Sequence, residues 1–261
     1  MLLEDKNAVI YGAGGAIGGA VARAFAREGA RVFLAGRTFT PLNAVAEEIA
    51  AAGGQAEAAE VDALDEAAVE SHVAAVASKA GRIDVSFNAI GMEDVQGPPL
   101  LDMSLDDFAH PVIRATRTQF LTARAIARRM VEKGSGVLLT ITAPTAREAT
   151  PHIGGFGAAC GAIEALWRTL AAELGPQGVR LVCLRSAGSP DTPDLQGMVR
   201  AHAEATGLSP DETQAEFGRG TLLGRLPVLA EVAEVATMMA SERTGALTGT
   251  FVNVTCGSPV D

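Results

Sequence analysis

Residues 7–25 read NAVIYGAGGAIGGAVARAF, a short apolar run that passes through a glycine-rich loop into a helix-forming segment. Backbone N–H groups of such a loop, together with the N-terminus of the following helix, can face a phosphate with no side chain between them. The pattern favours a site for the pyrophosphate of a dinucleotide, and a strand-to-helix turn without a ligand is the alternative. The glycines stand at positions 12, 14, 15, 18 and 19.

Further apolar runs follow the first, with segments of helical periodicity between them. Nearly continuous apolar runs are typical of strands in a parallel sheet that helices cover on both faces. Because no Pro/Gly/Ser-rich linker divides the chain, we predict one α/β domain over residues 1–261. It would be a doubly wound parallel sheet of about seven strands, joined by right-handed crossovers. The predicted strands are residues 7–12, 31–35, 55–61, 83–88, 136–142, 179–184 and 250–255.

Composition narrows the class of protein. Hydrophobic residues make up 48% of the chain, which is ample for a full core. The formal net charge of −10 would repel nucleic acid and anionic membranes, so neither is expected as a partner.

Cys160, Cys183 and Cys256 lack metal-ligand spacing, so we predict free thiols and no metal. No signal-peptide pattern or membrane-spanning run occurs, which predicts a cytoplasmic location.

The second predicted strand ends in AGRT, residues 35–38. Arg37 stands where an acidic residue would bind the ribose hydroxyls of NAD, and positions 35 and 36 hold no acid. An arginine there can make a charge-assisted contact with the 2′-phosphate of NADP. We therefore predict NADP(H) as the cofactor in preference to NAD(H). A solvated surface arginine is the alternative.

Four segments together resemble the short-chain dehydrogenase/reductase family along the whole chain. GAGGAIG, residues 12–18, resembles that family's GxxxGxG loop, with an alanine in place of the middle glycine. VDALD, residues 61–65, matches the stretch whose aspartate contacts adenine. NAIG, residues 88–91, resembles the NAAG turn beside the cofactor, and LTGTFVNVTCG, residues 247–257, resembles the TGxxxxVDGG ending.

The resemblance implies a Rossmann-type fold, with residues 186–225 as a lid over the substrate pocket. It also implies a homo-oligomer, a tetramer or a dimer. By the same resemblance, the residues expected to bind the cofactor are Gly12, Gly14, Gly15, Ala16, Ile17, Gly18, Arg37, Asp62, Ala63, Asn88, Ala89 and Gly91.

Members of this family reduce carbonyl groups with an Asn, a Ser and a YxxxK pair. The tyrosine transfers the proton, the lysine lowers its pKa, the serine orients the substrate oxygen, and the asparagine supports a water relay. Family spacing places the serine at position 143 and the tyrosine at position 156, which here are Ala143 and Phe156. The lysine position is Cys160 and the asparagine position is Ala115. All four positions of the tetrad are therefore predicted to be replaced.

No other alignment restores the pair, because Tyr11 at the glycine loop is the chain's single tyrosine. Removal of a general acid costs about 10²- to 10⁴-fold in rate, so ordinary ketone reduction should be very weak. His152, four residues before Phe156, is a weak candidate for a substitute acid, with an ordinary loop histidine as the alternative. Cys160 has no nearby lysine to lower its pKa and is better interpreted as a small packing residue.

Two functions remain open. In one, the protein is an NADP(H)-dependent oxidoreductase of altered chemistry, which transfers hydride to a conjugated C=C or a C=N acceptor that needs no tyrosine. In the other, it is a non-catalytic protein that binds NADP(H) or another small-molecule ligand. In that case it could pair with an active relative through the two long helices that form the family's dimer interface. The fold alone does not separate these two functions.

Overall fold

Seven strands form one parallel sheet in the order β3-β2-β1-β4-β5-β6-β7 in a computed structural model of the protein. The structure describes residues 1–258 apart from the side chain of Asp194, so the last three residues of the predicted domain lie outside it. The predicted doubly wound sheet is confirmed, and its strand bounds differ from the predicted ones by at most two residues. The strands are β1 Asn7–Tyr11, β2 Arg31–Gly36, β3 Gln55–Glu60, β4 Val85–Asn88, β5 Gly136–Thr142, β6 Val179–Ser186 and β7 Thr250–Val254.

Helices cover both faces of the sheet, as the alternating sequence pattern predicts. Helices α1, α2 and α8 pack on one face, and α3, α4 and α5 pack on the other. The long α4 begins at the N-cap Ser104, whose hydroxyl accepts the N–H of Asp107 at 3.0 Å. The helices are α1 Ala16–Arg27, α2 Phe39–Ala51, α3 Glu66–Ala80, α4 Leu105–Lys133, α5 Phe156–Leu174, α6 Pro193–Thr206, α7 Pro210–Arg219 and α8 Leu229–Ala240.

Strand β1 shows how one sheet builds two cores. Ala8 and Ile10 point into the core beneath α1, α2 and α8, whereas Val9 and Tyr11 point into the core beneath α3, α4 and α5. All four side chains are buried, because successive residues of a central strand face opposite helical layers. Burial of each large apolar side chain contributes about 1.5–3 kcal/mol, and the two cores hold the carboxyl ends of the strands in place.

Helices α6 and α7 fill the long connection between β6 and α8. Leu195 and Val199 of α6 form a small separate apolar cluster with Leu226, against which Phe217 of α7 packs. This cluster lies outside the two main cores, so α6 and α7 form a unit above the end of the sheet. Residues 186–225, the predicted lid, contain both helices, and their action as a lid remains a prediction. Among the described residues, no helix is long and apolar enough to span a bilayer.

Candidate cofactor and substrate site

A cavity of about 1130 Å³ opens at the carboxyl ends of the parallel strands. Loops that follow β1, β2, β4, β5 and β6 line it, which is where ligands bind in open α/β sheets. The structure brings most of the predicted site residues together in its wall. Those that line the cavity are Gly12, Gly14, Gly15, Ala16, Ile17, Arg37, Asp62, Ala63, Ala89, Gly91, Ala143 and Phe156. Those outside the wall are Gly18, Asn88, Ala115, His152 and Cys160.

The glycine loop is a close-packed cradle with no room for a side chain at Gly12 or Gly18. Gly12 has φ +76°, and a Cβ there would lie 2.5 Å from the carbonyl oxygen of Ala89. A Cβ on Gly18 would lie 2.3 Å from the Gly12 carbonyl oxygen. Gly15 caps α1 without a side-chain hydrogen bond, so the first N–H groups of the helix are left for a ligand. This cradle fits a pyrophosphate, because uncapped N–H groups at a helix N-terminus bind anions.

Asp62 and Asn88 stabilise the turns beside the cradle. The Asp62 carboxylate accepts the N–H of Leu64 at 2.9 Å and lines the cavity. Asn88 is buried beneath the wall, where its amide donates to the Thr122 hydroxyl at 2.9 Å and its Oδ1 accepts the N–H of Ile90 at 3.0 Å. Asn88 thus holds the turn after β4 in place from beneath the cavity wall. Because Asn88 itself does not line the cavity, any contact with a cofactor would be made by the residues of that turn.

Arg37 has a partner that the sequence did not predict. Its Nη2 lies 2.5 Å from Oε1 of Glu93, in the loop after β4, and Nη2 of Arg114 lies 3.0 Å from the same oxygen. Arg114 is buried and lines the cavity. It stands inside a helix with no motif around it, so no sequence signal marks it as a site residue. The carboxylate of Glu93 therefore joins two arginines in the wall of the cavity.

Two of the four predicted tetrad positions face the cavity and two do not. Ala143 directly follows β5, and Phe156 is the first residue of α5, and both line the wall. Cys160 lies one helical turn after Phe156 and is fully buried, and Ala115 is buried in α4. A methyl group and an aromatic ring offer no proton to a ligand. At these positions the side chains therefore form an apolar surface and supply no acid or base.

The thiol of Cys160 is a poor substitute for an acid or a nucleophile. Burial raises its pKa to about 11, outweighing the opposite effects of the Ala143 backbone and the nearby Thr145 hydroxyl. Burial likewise raises the pKa of Cys183 to about 12. Both thiols stay protonated at neutral pH, which agrees with packing roles.

Tyr11, the chain's single tyrosine, is almost fully buried at the end of β1, and its hydroxyl lies 3.4 Å from Nδ1 of His72. Burial, assisted by the charge of Glu70, raises the pKa of Tyr11 well above its usual value. The hydroxyl therefore keeps its proton at neutral pH. Although the residue lines the cavity, its side chain packs in the core beneath α3, α4 and α5.

His152 does not line the cavity, which weakens its candidacy as a substitute acid. Its Nδ1 lies 2.8 Å from the carbonyl oxygen of Gly97, and its ring meets His202 edge-on at 6.4 Å. His202, on α6, does line the cavity, and no motif in the sequence marks it as a site residue. Burial, and then the charge of His152, lower the pKa of His202, while its Nε2 lies 3.2 Å from Oε1 of Gln96.

Two hydroxyls at the end of β6 are orphaned in the wall of the cavity. Ser186 and Ser189 are buried and line it, and within residues 1–258 neither hydroxyl has a hydrogen-bond partner. A buried hydroxyl without a partner is costly, so these groups are suited to a polar ligand. Glu148 and Glu216 also line the cavity, and the Ser258 hydroxyl donates to Glu148 at 2.7 Å. Across the described chain, no cluster of three metal-ligating side chains occurs.

The sheet order, together with a glycine cradle below a cavity at the strand ends, defines a Rossmann-type protein. A family model described as enoyl-(acyl carrier protein) reductase matches residues 12–258. The short-chain reductase protein NovJ of Streptomyces niveus is 32% identical over 98% of this chain and 95% of its own length. The uncharacterized oxidoreductase YxbG of Bacillus subtilis is 31% identical over 95% of this chain and 88% of its own length. The chain therefore belongs to the short-chain dehydrogenase/reductase family, which confirms the resemblance.

Solved structures agree with this family assignment. Levodione reductase matches with a TM-score of 0.90 and 26% identity over 98% of both chains. A 7α-hydroxysteroid dehydrogenase, complexed with NADH and 7-oxo glycochenodeoxycholic acid, matches with a TM-score of 0.84 and 26% identity over 98% of this chain and 94% of its own. An NAD⁺-bound xylitol dehydrogenase has a TM-score of 0.93 at 23% identity over 98% of this chain and 100% of its own, a likeness in fold.

Proposed function

We propose that the protein is an NADP(H)-binding oxidoreductase that reduces a polarised C=C or C=N bond and is not an ordinary carbonyl reductase. The observation that carries this proposal is the contrast within one cavity. A cradle with free helix N–H groups stands at one end, and Ala143 and Phe156 stand where relatives of the family hold a hydroxyl and a phenol. The cradle favours cofactor binding, and the missing phenol argues against carbonyl chemistry.

The proposed cofactor contacts follow from the residues of the wall. The first turn of α1 would hold the pyrophosphate, and Asp62 with Ala63 would flank the adenine. Arg37, which lines the cavity, would contact the 2′-phosphate. The orphaned hydroxyls of Ser186 and Ser189 would serve polar groups at the nicotinamide end.

Once bound, the nicotinamide cofactor supplies a hydride. The chain's own contribution would be to orient the acceptor against the apolar wall of Ala143 and Phe156 and to exclude water there. Carbonyl reduction needs a proton on the new alkoxide. A conjugated C=C takes hydride at carbon to give an enolate that solvent can protonate later, and a C=N group that is already protonated, an iminium, takes hydride to give a neutral amine with no further proton. The description of the matching family model, an enoyl reductase, supports an acceptor of this kind.

A non-catalytic role is the second candidate, and the replacement of all four predicted tetrad residues favours it. Under this proposal the cavity senses NADP(H) or another small molecule and reports to a partner subunit. Helix α4 exposes Ile113 and Phe120, apolar side chains suited to a subunit contact with a second copy or with an active relative. Under both candidates we propose a cytoplasmic homo-oligomer, a dimer or a tetramer.

NADPH fluorescence and absorbance at 340 nm test the proposal. NADPH fluorescence should change on addition of the protein, and its oxidation should then be followed with enones, imines and ketones as acceptors. Turnover with an enone or imine, together with negligible turnover of ketones, supports the first candidate. Saturable binding without turnover on any acceptor supports the second. Ketone turnover at rates ordinary for an enzyme, about 1–10³ s⁻¹, would contradict both.

The cofactor choice has its own test in Arg37→Gln. This variant should weaken NADPH binding at least about tenfold and leave NADH binding within about twofold, because only NADPH carries the extra phosphate. Equal affinity of the variant and the wild type for NADPH would support NADH as the cofactor.

A further inference from the structure

The carboxylate of Glu93 forms an ion pair with the guanidinium of Arg37, the group that would bind the cofactor's 2′-phosphate. Its Oε1 lies 2.5 Å from Nη2 of Arg37 and 3.0 Å from Nη2 of Arg114. An imidazole is also near, because Nε2 of His110 lies 3.7 Å from Oε2. Arg37, Glu93 and Arg114 all line the cavity. An anion of the protein itself is thus already seated at the predicted phosphate site.

The two arginines hold Glu93 unequally. The side chain of Arg37 is 54% exposed, so its ion pair with Glu93 is solvated and readily exchanged for another anion. The side chain of Arg114 is only 7% exposed, and its Nε also donates to the Gly91 carbonyl oxygen at 3.1 Å. A buried cation gives up its counterion reluctantly, because the unpaired charge would be left without water. Glu93 should therefore stay on Arg114 when a ligand takes Arg37.

The backbone supports this placement. Glu93 has φ +57°, a left-handed conformation that is uncommon for a residue with a side chain. Residues held in such conformations persist where the surroundings determine them, and they cluster at ligand sites. The loop after β4 thus presents this carboxylate to the cavity at a cost in backbone strain.

We infer that Glu93 is a specificity-determining residue that weakens binding of the 2′-phosphate at Arg37. The inference rests on the proposed NADP(H) function and deepens it. A 2′-phosphate carries up to two negative charges, so it must both displace Glu93 from Arg37 and remain near the retained carboxylate. NADH, which has hydroxyls at this position, meets neither penalty. The wild-type protein therefore discriminates between the two cofactors less than a free Arg37 would.

Glu93→Gln tests this inference by removal of the charge at nearly constant shape. The dissociation constants of NADPH and NADH are measured by fluorescence titration, with thermal melting to verify that the variant is folded. NADPH should bind about five- to tenfold more tightly than to the wild type, and NADH should change by less than about twofold. The gain should shrink in high salt, because the interaction is electrostatic and partly exposed. Glu93→Ala provides a second variant if the glutamine form is unstable.

Two controls make the test specific. Asp94→Asn removes the same charge from the next residue, whose carboxylate accepts the Gln96 amide at 2.7 Å, and it should change NADPH binding by less than about twofold. In an Arg37→Gln background, Glu93→Gln should give a smaller selective gain for NADPH than in the wild type, since the competition for Arg37 would be gone and only the repulsion by the retained carboxylate would be relieved.

The outcomes separate this inference from the proposed function. If NADPH binds but Glu93→Gln changes NADPH and NADH equally, or neither, the inference is overturned and the proposed function stands. If neither dinucleotide binds to the wild type or to any folded variant, the proposed function is overturned and the inference with it. A selective gain for NADPH that is larger when Arg37 is present supports both.

Discussion

Glu164 of α5 and Arg185 of β6 form a bidentate ion pair in the interior. Nε of Arg185 lies 2.6 Å from Oε1 of Glu164, and Nη2 lies 2.9 Å from Oε2, with both side chains almost fully buried. Phe156, Cys160 and Glu164 are spaced four residues apart and so lie along one face of α5. Arg185 directly precedes Ser186 in the cavity wall. The pair therefore sets α5 against β6, two elements whose ends shape the site.

Glu164→Gln should destabilise the fold by about 3–5 kcal/mol, because it replaces the carboxylate that accepts two charge-assisted hydrogen bonds from the buried guanidinium of Arg185. Urea unfolding followed by circular dichroism measures the change. Arg168→Gln is the matched control: Arg168 pairs with the same carboxylate at 3.1 Å but is 54% exposed, so its loss should cost less than about 1 kcal/mol. Equal losses of unfolding free energy in the two variants would show that the buried ion pair stabilises the fold no more than the exposed one.

His72 should make the fold sensitive to mild acid. Burial lowers its pKa to about 4, whereas an unfolded histidine titrates near about 6.5. As the pH falls, His72 is therefore protonated in the unfolded chain before it is protonated in the folded protein. Protonation of the unfolded chain lowers the free energy of unfolding, so stability that is present at pH 7 is lost as the pH falls from 6.5 towards 4. We expect the wild type to lose about 2 kcal/mol more than His72→Gln between pH 7 and pH 5, measured by urea unfolding. Parallel pH profiles would contradict this assignment.

The thiols should differ in reactivity according to their burial. Cys160 and Cys183 are fully buried with raised pKa values, while Cys256 is partly exposed. Native protein treated with iodoacetamide at pH 8 should be alkylated at Cys256 alone, and all three thiols should react after denaturation. Mass spectrometry of the digested protein locates the label. Rapid alkylation of Cys160 in the native state would reopen the possibility that it is a nucleophile.

Restoring the tetrad should create a carbonyl reductase if the alignment of the four positions is right. The combined variant Ala115→Asn, Ala143→Ser, Phe156→Tyr and Cys160→Lys should raise NADPH-dependent ketone reduction by about 10² or more. Phe156→Tyr alone should give much less, because its phenol would lack the lysine that lowers its pKa. Since position 160 is buried, the melting temperature and NADPH affinity of the variant must be checked first. A folded, NADPH-binding variant with no gain would show that the alignment is wrong.

The sequence predicts the sheet well because its signals are local. The run before Gly12 is apolar on both faces, and the glycines after it permit a close approach to the Ala89 backbone, which is a property of the loop itself. The predicted strand bounds are off by at most two residues, since strand ends depend on pairing with neighbours.

The parts of the site that sequence did not predict depend on contacts between distant segments. Arg37 and Glu93 are 56 positions apart, and only the fold brings the ends of β2 and β4 together. Arg114 stands in a helix of mixed polarity, where an arginine is usually solvated. His202 reaches the cavity because α6 folds back over the sheet. No spacing rule along the chain encodes these arrangements.

A crystal structure of the protein with NADP⁺ bound tests the central claim most directly. We expect the pyrophosphate on the first turn of α1 and the nicotinamide ring beside Phe156. A substrate atom would lie next to the hydride-bearing carbon of that ring. We expect no carboxyl, imidazole, phenol or ammonium group within hydrogen-bonding distance, about 3.2 Å, of that position. A side chain such as Glu148 or His202 in that position, or NADP⁺ bound outside the cavity, would contradict the account of an intact cofactor cradle beside a pocket without a proton donor.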